Sequence, residues 1–418
     1  MSHLSYMERL LDGVQVEWKA LEKVADIYDS LHKTPQYTET GLNMIRVTDI
    51  KGGYVNLEQT LKVNDEVFAD FTKKYLPVKD DLVMSRVGSY GNVGIIPADN
   101  IACMGQNTVV IHPLVNSKFI FYILGSNIGQ NFIERNVGGG NQKTLSLKSI
   151  KAIPIPIPSP DNPEKSLAIQ AEIVRILDAF TAMTAELTAE LTAELNMRKK
   201  QYNYYRDQLL SFEDGEVEWR ALSAMAEYSK ARISYTELDD SNYVGVESLL
   251  QNRAGKIDST RTPDSGNLTQ YTPDDILIGN IRPYLKKIWH ADRVGGTNGD
   301  VLVVHPTDIA INPRYLYQVL AEDKFFEYNM RHAKGAKMPR GNKPKIMEYL
   351  VPIPFASNRE KSLSEQERIV TILDKFDTLT SSITEGLPRE IELRKKQYEY
   401  YRDLLLSFPK ANSDEAAK

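Results

Sequence analysis

The sequence predicts a mixed α/β fold: two globular α/β domains separated by two long antiparallel helices, related by internal duplication and pseudo-twofold symmetry. Three observations predict it. A block of text occurs twice along the 418 residues. Each copy carries a long helical periodicity. The unlike stretches that precede the copies are rich in β-branched and aromatic runs punctuated by Gly, Pro and Asn, the pattern of short strands joined by turns.

The duplication is written without a gap. "IVRILDAF" begins at Ile173 and "IVTILDKF" at Ile369, 196 positions apart, and "RKKQYNYYRDQLLSF" and "RKKQYEYYRDLLLSF" begin at Arg198 and Arg394 in the same register. More than half of the positions match between 156–212 and 352–408. A shorter echo, "DGVQVEWKAL" ending at Leu21 and "DGEVEWRAL" ending at Leu222, opens each strand-rich insert. The N-terminal "MERLLDGVQVEW" also echoes "RDQLLSFEDGEVEW", so the repeat reads as nearly circular. Near-identical frames thus enclose two divergent inserts. The expected boundaries are a first insert domain at 1–155, a central helical frame at 156–212, a second insert domain at 213–350, a C-terminal helical frame at 351–408, and a disordered tail at 409–418.

Taken in order, the first insert holds "NMIRVTDIKGGYVNL" and "NTVVIHPLV", read as strands and turns, and the second holds "DVLVVHPTDI". "DLVMSRVGSYGNVGII" from Asp81 and "DILIGNIRPYLKKIW" from Asp275 are one parallel between the inserts, which otherwise resemble each other only faintly. Each frame opens on a proline-spaced extended piece, "AIPIPIPSP" or "LVPIPF", because X-Pro pairs disfavour helix. A helix then runs from about Ser166 to Phe212, and a second from about Ser362 to Phe408, with Ser166 and Ser362 read as N-caps. Ile169, Ile173, Ile176, Leu177 and Phe180 supply the apolar stripe. Gly386 and Pro388 interrupt the second helix, where a kink or restart is expected. The first helix instead carries "TAEL" three times over 184–195.

Composition bounds the chemistry. The chain is 42% hydrophobic and 26% charged, as a folded globular protein is. One cysteine, Cys103, excludes an internal disulfide and a thiolate-rich metal site. No signal-peptide pattern or apolar membrane span is read, so the expected setting is reducing and cytoplasmic, with no membrane partner. No phosphate-binding glycine loop is present, since "GAKMPRGNK" at Gly335 has the wrong spacing, and the six histidines follow no metal-binding pattern. Glu322 and Lys324, with Pro273-Asp274 upstream, form only a loose nuclease-like string. No catalytic or metal site is therefore assigned, and the chain is expected to bind no cofactor.

A net charge of −5 argues against a nucleic-acid partner on average, but the charge is unevenly placed. "MRHAKGAKMPRGNKPKI" carries Arg331, Lys334, Lys337, Arg340, Lys343 and Lys345 with no acidic residue among them. Basic side chains on a glycine-punctuated loop can follow a phosphate backbone, and arginine can read guanine bidentately. The bland alternative is a solvated loop. The matching text of the first insert, "VGGGNQKTLSLKSIK", carries Lys143 and Lys148, with Asn141 and Gln142 able to read adenine. Arg86, Arg282, Lys286 and Lys287 are further nucleic-acid candidates at strand–turn junctions. Tyr202, Tyr205, Leu209 and Phe212, and equally Tyr398, Tyr401, Leu405 and Phe408, fall on helical stripes suited to packing, between the helices or on a partner subunit.

With its "RKKQYxYYRDxLLSF" blocks, "PIP…EKSL" helix entries and "TAEL" repeats, the chain resembles the specificity (S) subunits of type I restriction–modification systems, the IC subgroup in particular. That resemblance implies a non-catalytic DNA-recognition subunit whose inserts are target recognition domains, each reading half of a split site in double-stranded DNA. It implies as partners two methyltransferase (M) subunits, which use S-adenosylmethionine, and restriction (R) subunits, which use ATP and Mg. The repeat then reads as a ruler for the unread spacer, with Leu187, Leu191 and Leu195 packing its helix. A methyltransferase or nuclease acting alone, and a coiled-coil adaptor with protein-binding inserts, are the alternatives.

Overall fold

A computed structural model of the chain describes residues 10–11, 13–140, 143–212, 217–381 and 386–409. Of the tail expected at 409–418, residues 410–418 lie outside them. The fold is mixed α/β, with two sheet-containing units and long helices. One unit comprises 1–186 with 394–418, and the other comprises 187–393. Each unit therefore takes helical segments from both frames, and neither is a continuous stretch of insert alone.

The proline-spaced entries form strands, and their spacing explains how. Val16–Ala20 pairs antiparallel with Pro154–Pro158, setting Val16, Trp18 and Ala20 opposite Pro158, Pro156 and Pro154. Proline has no N–H to donate, so alternate positions of a two-stranded edge ribbon can accept it. Val217–Ala221 pairs with Leu350–Pro354 in the same way, with Trp219 opposite Pro352. The "VEW" echo and the "PIP" text are thus two halves of one ribbon in each unit.

In the first unit a six-stranded sheet runs in the order Ala25–Asp29, Thr108–Pro113, Leu82–Ser85, Val93–Ile95, Tyr54–Val55, Ile50–Lys51. Helices Ser117–Gly125 and Asn127–Asn136 bury Phe119, Ile120, Ile123 and Ile133 against Leu82, Met84, Val109 and Ile111. The same core takes Ile169, Ile173 and Leu177 from the central helix and Leu405, Leu406 and Phe408 from the end of the chain. The circular reading of the repeat has this physical content: the last helical residues complete the core that the first residues begin.

In the second unit two four-stranded sheets form. One orders Ala226–Tyr228, Val301–Pro306, Ile276–Gly279 and Ile288–His290, and the other Arg232–Ser234, Asn267–Tyr271, Gly295–Thr297 and Tyr243–Val244. Its core takes Tyr202 and Leu210 from the central helix and Ile369, Val370 and Leu373 from the second frame.

The central helix runs unbroken over Pro163–Leu209, through all three "TAEL" repeats. Its start differs from expectation. Asn162, not Ser166, is the cap, accepting from the Lys165 N–H at 3.0 Å with Pro163 at the first helical position. Asn358 does the same for Lys361 at 3.0 Å. Ser166 and Ser362 sit one turn in, buried, accepting from the side chains of Gln170 and Gln366, both at 3.0 Å. The second frame forms two helices, Arg359–Ser381 and Gly386–Leu405, so the expected break is a restart. Gly386 has φ +74°, and a Cβ there would lie 2.6 Å from the Thr378 carbonyl oxygen. Only glycine fits that approach, and Pro388 then stands in the first turn of the new helix.

Candidate nucleic-acid interface

Each unit brings together two loops that are far apart in sequence. In the second, the turn after strand Ile276–Gly279 runs beside the basic loop, with Ile281 and Arg340 bridged antiparallel. The Arg282 N–H donates to the Pro339 carbonyl at 2.7 Å, and the Gly341 N–H to the Asn280 carbonyl at 3.0 Å. Lys334 and Arg340 exchange both backbone bonds, at 2.9 and 2.8 Å, so the loop is a small closed hairpin with Gly335 turning at φ +95°. The first unit repeats the juxtaposition. There the turn after Leu82–Ser85 meets the glycine loop, with Val87 bridged to Thr144 and the Leu145 N–H donating to the Arg86 carbonyl at 2.8 Å.

The candidate side chains divide by what they touch. Arg331, Lys334, Lys337, Lys343 and Arg282 are exposed, and no ion pair joins them among the described residues. Arg340 pairs with Asp300 at 2.6 Å, and Lys345 with Glu348 at 2.6 Å. Lys286 instead binds Asp323 at 2.8 Å, beside Arg253 at 2.5 Å. Burial raises the Asp323 carboxyl, but hydrogen bonds from Lys286 and Arg253 outweigh it and hold the group at about 2. The Lys287 ammonium donates to the Val246 carbonyl at 2.6 Å, and burial lowers its pKa. Both lysines thus have structural work to do.

In the first unit, Arg86 is only 12% exposed. Its Nη1 binds Asp29 at 2.6 Å and its Nε donates to the Leu145 carbonyl at 3.1 Å, so the guanidinium ties loop to sheet. Lys143 and Lys148 are exposed, while Asn141 and Gln142 lie outside the described residues. Two exposed residues beyond the sequence candidates stand near these loops, one in each unit. Arg135 lies in the last turn of helix Asn127–Asn136 as Arg331 does in that of Asp323–Arg331, and the 196-residue offset that relates the two could have identified it. Tyr284, half-exposed beside Arg282, had no signal beyond its type.

The aromatic stripes pack within each unit. Tyr202 is buried and donates to Gln318 Oε1 at 3.0 Å, Tyr205 stacks on Phe376 with centroids 5.3 Å apart, and Leu209 and Phe212 line the second core. In the first unit, Tyr398 meets the Thr181 hydroxyl at 2.9 Å, Tyr401 lies 6.3 Å from Phe180, and Leu405 and Phe408 are core. Tyr204 and Tyr400, by contrast, stay 62% and 64% exposed. Leu187, Leu191 and Leu195 are half-buried. Glu322 is buried and its carboxyl raised by that burial, which does not suit an open catalytic acidic site. Among the described residues no cluster of metal-binding side chains occurs, and no helix is long and apolar enough to cross a membrane.

Comparison with known proteins gives a consistent answer. The sequence model of the type I restriction modification DNA specificity domain matches residues 16–197 and 225–393. The chain is 37% identical over 440 residues to the type I restriction enzyme EcoR124I/EcoR124II specificity subunit of Escherichia coli, covering 98% of each. It is 32% identical over 411 residues to the EcoprrI specificity subunit of Escherichia coli, covering 92% of this chain and 93% of that one. A solved chain, from work on complex assembly and conformational transition of the type I R-M system, has the same fold. Its TM-score is 0.61 at 13% identity, over 93% of this chain and 97% of that one.

Proposed function

Because the chain belongs to the type I restriction–modification specificity family, a family of recognition and not catalytic subunits, we propose that it reads a split, asymmetric site in double-stranded DNA, one half through each unit. The observation that carries this is the loop pair. In both units a strand-end turn is bridged to a glycine-punctuated loop, and the exposed cations gather there in a chain whose net charge is −5.

Two copies of the frame, with exposed Tyr204 and Tyr400 at equivalent positions, support the reading that the chain docks two modification subunits. S-adenosylmethionine then belongs to those subunits, and ATP with magnesium to the restriction subunits that join them. The repeats and frame motifs support the IC group, and the cytoplasm, where host DNA lies, is the setting. The "TAEL" repeats act as a ruler for the unread spacer.

Co-expression with the cognate modification subunits and genome-wide mapping of N6-methyladenine tests the reading. One split motif, methylated only when the chain is present, is the expected result. A stable complex without such methylation would sink it.

A further inference from the structure

Arg340 is held differently from the other cations of its loop. Its backbone is closed on Lys334, and its guanidinium is fixed through Nη1 to Asp300 Oδ1 at 2.6 Å. Asp300 is itself anchored: its N–H donates to Asn298 Oδ1 at 3.0 Å and its carbonyl accepts the Asn280 N–H at 2.8 Å. Yet Arg340 is 52% exposed. Among the described residues nothing bonds its Nε or Nη2, and that edge is the fork that guanine O6 and N7 accept in the major groove.

Arg86 has Nε and Nη1 both engaged and is nearly buried, so its fork is closed. Lys334 and Lys337 are exposed ammonium groups with no ion pair among the described residues, suited to phosphates but not to bidentate reading. The Arg340–Asp300 pair carries no net charge, and Asp300, 35% exposed, would repel a phosphate brought against it. A neutral pair with one open guanidinium edge is a poor backbone clamp and a good base reader.

Resting on the reading of the chain as a DNA-recognition subunit, we propose that Arg340, aligned by Asp300, reads one guanine of the half-site contacted by the second unit, while Lys334 and Lys337 hold phosphates. Asp300 is a positioning residue, acting through Arg340.

The test uses the full chain with its modification subunits. N6-methyladenine is mapped for the parent and for Arg340→Lys, Arg340→Ala, Asp300→Ala, Lys334→Ala and Lys337→Ala. Each complex is then titrated over a range of salt with a duplex bearing the mapped site and with duplexes changed at each base pair. Both Arg340 variants and Asp300→Ala should lose discrimination at the same G·C pair, by about 5- to 150-fold, the worth of one bidentate contact. Lys334→Ala and Lys337→Ala should keep the motif and each lower the salt slope by about 1. Arg340→Lys keeps the charge, so it decides the matter even if Arg340→Ala folds poorly. An unaltered motif in Arg340→Lys, or degeneracy confined to the other half-site, would overturn the assignment. The parent complex tests the underlying reading separately: if it methylates no split motif, that reading fails first.

Discussion

Gly341 shows how little freedom the basic loop has. A Cβ there would lie 2.7 Å from Asn329 Oδ1 and 2.8 Å from Asn280 Oδ1, and both amides are buried beneath it. Gly341→Ala is therefore expected to cost about 1–3 kcal/mol, the range for overpacking, and to lower the melting temperature. It should also weaken DNA binding, because Arg340 is the adjacent residue. A variant as stable as the parent would mean that the two amides yield easily. Asp323 gives a prediction with a sign. Its folded carboxyl is held at about 2, below the ordinary 3.8, so the native state binds fewer protons than the unfolded chain between those values. Its stabilisation is present above about pH 4 and is lost as pH falls toward 2. The group is half-exposed and solvent screens it, so the effect is modest. Urea unfolding should find Asp323→Asn less stable than the parent at pH 6, with the gap narrowing as pH falls through 4 toward 3. A gap that stayed constant would show that charge is not the cause. None of this was legible in the sequence, where Gly341 and Asp323 are ordinary letters and their neighbours lie up to 70 positions away.

Among the elements, the frames were legible and the inserts were not. Repeated text with helical periodicity placed the two frame helices, and Gly386-Pro388 placed the restart, because those signals are local. The caps lie four residues ahead of the expected serines: Asn162-Pro163 is itself a helix-start signal, but Ser166 competes with it and is engaged with Gln170 instead. The pairing of Val87 with Thr144, or Ile281 with Arg340, joins loops through the tertiary fold, and no period in the text announces it. Arg86 shows the consequence, since its type suggested a DNA contact and its surroundings make it a tie between loop and sheet. The near-circular echo at the termini was the more informative signal. It implies that the last helix belongs with the first insert, and Phe408 packs edge-on against Phe119, with centroids 5.9 Å apart. Phe408→Ala is expected to destabilise the first unit by about 3–5 kcal/mol. Hydrogen exchange should quicken in strands Leu82–Ser85 and Thr108–Pro113, while the sheet of Ile276–Gly279 keeps its protection. Equal loosening of both sheets would mean that the units do not unfold separately.

For the whole molecule, the telling feature is the helix that carries the repeats without a break. Ala, Glu and Leu are good helix formers, which explains why the segment is helical but not why one tetrapeptide is written three times. Four residues lengthen an α-helix by about 6 Å and turn it through about 400°, or about 40° past a full turn. One base pair of B-DNA turns by about 34–36° and rises about 3.4 Å. A repeat is therefore close to one base-pair step in rotation, and a four-residue step also carries Leu187 nearly onto Leu191, so the half-buried leucine stripe survives a change in repeat number. Deleting one "TAEL" should leave both half-sites unchanged and shorten the unread spacer by about one base pair, as read by N6-methyladenine mapping. Inserting a single alanine is the contrasting control. It turns the helix by about 100°, moves the leucines off their stripe, and matches no whole number of base pairs, so methylation should fall without a new spacing appearing. If the deletion left the spacing as it was, repeat number would not set it. If instead the half-sites changed, the helix would be shaping recognition itself and not only the interval between its two parts.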